Sequence, residues 1–101
     1  NDLRVNIYKT KEEAKKAYNK AVALEKVKRR LLELQGDWKP NFNDTSIKHI
    51  IAYSYYKGHF GYDEWTKINF LTLIPYIKTS EIAITIINEM EDELKIIFNI
   101  T

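Results

Sequence analysis

The chain contains no cysteine, two prolines, three glycines, one methionine and two histidines among its 101 residues. Without cysteine there is no disulfide, no thiolate metal site and no thiol nucleophile, a composition that fits a reducing cytosol. No apolar run nears the ~18 residues a membrane-crossing helix needs, and no basic head with an apolar stretch opens the chain. Neither a membrane span nor a signal peptide is therefore expected, and the asparagine at position 1 suggests removal of an initiator methionine or a tag. The few glycines form no phosphate-binding loop, and none makes a nucleophile elbow around Ser54 or Ser80. His59, Asp63 and Glu64 lie together on one turn, with no further ligand group in sequence reach to complete a metal site. No catalytic residue, metal site or cofactor is assigned, and the expectation is a protein that is not an enzyme.

Hydrophobic residues make up 45% of the chain and aromatic residues 13%, the composition of a folded globular protein. The length suits a single domain, 1–101, with one modest core. The net charge of +2 conceals a segregation. Residues 1–30 hold ten Lys/Arg against four Asp/Glu, residues 31–80 hold five of each, and residues 81–101 hold one lysine against five acids. The running balance is thus +6, 0 and −4, and the chain is electrically polarised along its length.

Residues 3–8 (LRVNIY) alternate as a short strand does. Thr10, with Glu13 three residues on, forms a capping-box signature, and helical periodicity follows to Gln35, where Gly36 ends it. This predicts a helix over 11–35, about 37 Å long, whose buried stripe is Ala14, Ala17, Ala21, Leu24, Leu31 and Leu34. Its length predicts that one end projects or pairs with another molecule. Residues 47–56 read as a strand, residues 57–64 as a turn, and residues 65–77 as a bent strand or two short ones weakened by Pro75. A last helix opens at Thr79 or Ser80 and carries its apolar face from Ile82 to Ile97. Residues 9–14 and 78–83 agree at four of six positions, the same capping solution used twice. The order β-α-β-β-(β)-α defines an α+β fold, an antiparallel sheet with the two helices packed on it.

Two surfaces are candidates for binding. On a helical wheel Lys11, Lys15, Lys26, Arg29 and Arg30 fall within an arc of roughly 100° and span about 28 Å, with Lys28 in the same dense cluster. Such a row suits phosphates or an acidic protein surface, and it also suits a solvated helix face interrupted by Glu12 and Glu33. The aromatic residues Tyr53, Tyr55, Tyr56, Phe60, Tyr62 and Trp65 interleave with Lys48, Lys57 and Lys67. Tyr53 and Tyr55 share parity with Ile51 and are expected in the core. Tyr56, Phe60, Tyr62 and Trp65 are candidates for an exposed surface that binds protein or stacks single-stranded RNA. Trp38 and Lys39 lie in the connector GDWKPNF; Trp38 is expected to plug that connector onto the core, or, if exposed, to anchor an interface.

Thr10 to Ala14, Gly36 to Phe42 and Tyr76 to Glu81 together carry a resemblance that spans nearly the whole chain. It resembles a group of small proteins from phages and mobile elements of Bacteroidetes that share a Gly-x-Trp-Lys-Pro-Asp/Asn-aromatic motif. That resemblance implies an anti-defence protein of the anti-CRISPR kind, acting in the bacterial cytosol on a type VI RNA-guided effector, with its guide RNA a possible second contact. A phage nucleic-acid-binding module and a self-associating accessory protein are the alternatives. Because the chain is basic, it does not suit the role of a DNA mimic, which needs an acidic surface.

Overall fold

A computed structural model describes residues 10–67, 69 and 71–100. The fold is α+β: helix α1 (Lys11–Gln35), the antiparallel strands β1 (Lys48–Ser54) and β2 (His59–Trp65), then helices α2 (Ser80–Glu89) and α3 (Glu91–Phe98). The strand expected over 3–8 lies outside the described residues.

Both helix starts follow from the repeated motif. Thr10 and Thr79 adopt almost the same extended backbone, φ −138°, ψ 166° and φ −135°, ψ 159°. Their hydroxyl oxygens accept the amides of Glu13 and Ile82, each satisfying an amide with no partner inside its helix. α1 ends where the sequence predicts, at Gly36, whose φ of 61° suits glycine and whose amide donates to the Leu32 carbonyl.

The buried stripe of α1 differs from the expected one. Ala23, Val27 and Leu31 are buried and Leu24 and Leu34 partly so, whereas Ala14 and Ala21 are exposed and Ala17 only half-buried. Spacing of four residues makes both stripes possible, and α3, whose Glu93, Lys95 and Ile96 lie beside residues 16–26 of α1, decides between them. No residue from Lys11 to Val22 is fully buried, although Lys16, Asn19 and Val22 lie beside Lys95, Ile96 and Ile100 at the end of the chain's last helix.

The hairpin also corrects the expected boundaries. β1 ends at Ser54, and the chain turns at 55–58 with Gly58 at φ 74° and its amide on the Ser54 carbonyl. β2 starts at His59, with Gly61 inside it, so the expected turn over 57–64 is largely strand. Tyr55 falls past the end of β1 and is 80% exposed, not in the core. Beyond Trp65 the expected third strand is reduced, among the described residues, to one bridge between His49 and Ile77. The last helix is likewise two. Met90, at φ −125° and ψ 34°, breaks it, and Glu91, Asp92 and Glu93 open α3 with charge that favours a helix N-terminus. The break lets α2 cover the hairpin while α3 runs against α1, closing one core around Val27, Leu31, Ile51, Phe60, Ile77, Ile86, Leu94 and Ile97.

The connector is fastened by a buried lysine. Lys48 has no exposed side-chain surface, and its ammonium donates to the Thr66 carbonyl at 2.7 Å and to Asp44 at 3.2 Å. It also sits 5.2 Å from the centre of the Phe42 ring, which meets Tyr76 edge-on. Phe42 thus seats the connector, while Trp38 is half-buried. At the other end Gln35 accepts the Lys78 amide and donates to the Tyr76 carbonyl, joining the end of α1 to the approach to α2.

Stability measurements test this account. Thr79→Ala should cost about 1 kcal/mol, some 4–8 °C in Tm, because α2 is packed on the core. Thr10→Ala should fray the first turn in circular dichroism and leave Tm nearly unchanged, because that turn buries nothing. The hydroxyl and amide of Ser46, and then Lys48, lower Asp44 from 3.8 to about 2. Its folded value lies below its unfolded one, so its contribution is complete above pH 3.8 and disappears as pH falls through about 2. Asp44→Asn should remove that stretch of the acid-unfolding curve. Lys48→Ala should cost about 2–5 kcal/mol, and Lys48→Met, which keeps the packed stem, distinctly less.

Candidate functional site

The candidate site is the solvent face of α1. The helix carries six lysines and two arginines against four glutamates, a balance of +4. The buried residues Ala23, Val27 and Leu31 fix its orientation. At ~100° per residue, Lys11, Lys15 and Arg29 then point away from the core, and Lys26 and Lys28 flank the buried stripe on either side. All five are exposed, and none has a carboxylate partner among the described residues.

Arg30 belongs to a different class. Its Nε and Nη2 donate to the two carboxylate oxygens of Glu89 at 2.8 and 3.1 Å, and Nη1 donates to Glu33 at 3.1 Å. Those bonds to Glu89 and then Glu33 raise the guanidinium above its ordinary range and lower Glu89. The bidentate geometry makes Arg30 a tie between α1 and the end of α2, at the point where the last helix breaks. Its charge is answered within the molecule, unlike that of Arg29 beside it.

On the wheel set by Ala23, Val27 and Leu31, Lys16 and Lys20 fall on the buried side of α1, beside Asn99 at the end of α3, with Lys16 exposed and Lys20 half-exposed. The first three turns, residues 11–22, carry four lysines against Glu12 and Glu13.

The aromatic candidates do not form one platform. Phe60 is 7% exposed and sits in the core against Tyr53 and Phe98, which corrects its assignment to a surface. Tyr62 shares its face of the hairpin and borders on exposed. Trp65 pairs with Lys48 on the opposite face and is half-buried, and Tyr56 stands 97% exposed in the turn. Alternation along β2 accounts for the split, since residues 60 and 62 cannot share a face with 65. Lys48, one of the interleaved lysines, is buried and unavailable to a ligand. In the connector Lys39 is exposed, directly after half-buried Trp38.

His49 is buried, its Nε2 3.5 Å from Glu64 and its ring edge-on to Tyr62. Among the described residues no group of three His, Asp or Glu side chains lies close enough to hold a metal ion, and no helix is long and apolar enough to cross a membrane. No protein-family model, curated protein or solved structure matches this chain.

The contrast between neighbouring arginines is open to measurement. Arg30→Ala should lower Tm measurably and Arg29→Ala should not. In a double-mutant cycle Arg30→Ala and Glu89→Ala should be non-additive, whereas Arg29→Ala with Glu89→Ala should be additive.

Proposed function

We propose that the chain is a non-enzymatic binding protein that docks the solvent face of α1 on an anionic surface. The observation that carries this reading is the row of exposed cations, Lys11, Lys15, Lys26, Lys28 and Arg29, with no carboxylate partner among the described residues. An acidic protein surface or a phosphate backbone supplies the missing charge and gains from the release of counterions. Combined with the resemblance to the phage and mobile-element group, the partner is an RNA-guided CRISPR effector, type VI, engaged through protein, guide RNA or both. Inhibition then comes from occupying that surface, with Trp38 and Lys39 at the far end of the helix extending the contact.

The same cations support a second reading, a phage module that binds nucleic acid directly. Self-association through α1 is disfavoured, because two helices of charge +4 repel each other.

Size-exclusion chromatography of the protein with a type VI effector, with and without guide RNA, and with RNA alone, separates the readings. Co-migration with the effector but not with free RNA is the expected outcome. Reversal of Lys26, Lys28 and Arg29 to glutamate should weaken that complex at least ~10-fold, since a charge pair at an interface is commonly worth more than 1.4 kcal/mol. Binding to RNA alone, with a salt slope that falls by about one for each phosphate-contacting cation removed, would favour the nucleic-acid module. Absence of both associations would defeat the proposal.

A further inference from the structure

A second surface, independent of α1, lies along the free edge of β1. His49 exchanges two backbone hydrogen bonds with Ile77, at 2.9 and 2.8 Å, on the side of β1 away from β2. Strand alternation turns the N–H and C=O groups of Ile51 and Tyr53 to that same side. Continuing the register from His49–Ile77 by two residues sets Ile51 opposite Pro75, which has no N–H to give. The ladder stops there. Neither Ile51 nor Tyr53 has a backbone partner on this edge among the described residues.

Past Pro75 the chain bends away from β1 and leaves a groove of about 440 Å³. Ile51, Tyr53 and Tyr55 line it from β1 and the turn, Leu71 and Leu73 from the diverging segment, with Phe98 of α3. Leu71 is wholly exposed, Tyr55 80% and Leu73 55%. Among the described residues no charged side chain lines the groove, and β1 carries no charge or proline beyond His49 to discourage pairing.

We infer that this groove is a docking site for an extended peptide segment of a partner protein, added to β1 as a third strand. Unpaired donor and acceptor groups repeating every second residue match the edge of another strand. The neutral, apolar lining selects a segment with alternating β-branched or aromatic residues and no charge at its centre. A second copy of this chain does not fit. Its own β1 has a free edge over Ile51 and Tyr53 alone among the described residues, too short for strand-to-strand pairing of two copies, and the exposed side chains offer a few hundred Å² against the ~800 Å² per partner of a stable interface. A single strand of five or six residues, ~17–20 Å long, suits the groove.

The probe is acetyl-TVTVTV-amide, titrated into the full chain and followed by the amide NMR signals. Saturable shifts centred on Ile51 and Tyr53 below ~1 mM are expected, with affinity about tenfold weaker when the four central peptide nitrogens are methylated. Leu71→Asp, on a fully exposed side chain, should weaken binding about as much without changing Tm. Absence of saturable shifts, or equal affinity for the methylated peptide, would overturn the inference. Slow exchange of the Ile51 and Tyr53 amides in the free protein would also overturn it, since the edge would already be paired within the chain.

Discussion

Lys48 carries an ammonium into a place closed to solvent, and three separate parts of the chain arrange themselves to hold it there. Asp44 comes from the connector, the Thr66 carbonyl from the end of β2, and the Phe42 ring from the motif that follows α1. Removing a charge from water is expensive unless such partners are supplied, so the contact constrains all three at once. It fixes where β1 begins, where β2 ends, and how the connector crosses between helix and hairpin. A two-stranded hairpin has little stability of its own, and this anchorage together with α2 makes it a fixed floor for the core.

From that floor the molecule becomes asymmetric. The C-terminal half of α1 is held by the Arg30–Glu89 pair and by the Gln35 bridge to Tyr76 and Lys78, and α3 packs beside its middle. Its N-terminal half contributes nothing buried and carries most of its charge as lysine. The acids that would balance it are concentrated in the last two helices, where Glu89 is engaged by Arg30 and Glu91 approaches Lys95. Segregation seen in composition therefore persists in space as a basic face whose exposed cations have no carboxylate partner among the described residues. That supports a binding role for the helix, while the groove beside β1 offers a neutral and differently shaped contact.

Local signals were read well and non-local ones poorly. The limits of α1 and both threonine caps follow from residues within four positions of each other, so they were legible. The break at Met90 also had a local signal in Glu91-Asp92-Glu93, a run suited to a helix start, but the apolar periodicity on either side concealed it. Gly61 was read as a turn residue, although in a strand paired with Ala52 it needs no special backbone angle. Among site residues, the exposed cations could be placed from the wheel. Phe60 could not, because alternation gives two faces and does not say which one is covered.

By itself the sequence determined the helix boundaries and caps, the absence of thiol chemistry and the separation of charge, since these depend on composition and on contacts within a turn. Tertiary structure decided which stripe of α1 is buried, that Lys48 is internal, that Arg30 is paired while Arg29 is exposed, and that an edge of β1 has no partner at Ile51 and Tyr53 among the described residues. Each of those outcomes turns on residues distant in sequence: α3 against Ala23 and Val27, Thr66 against Lys48, Glu89 against Arg30, Pro75 against Ile51. Such contacts exist only once the chain has closed its loops, and no short window of residues contains them.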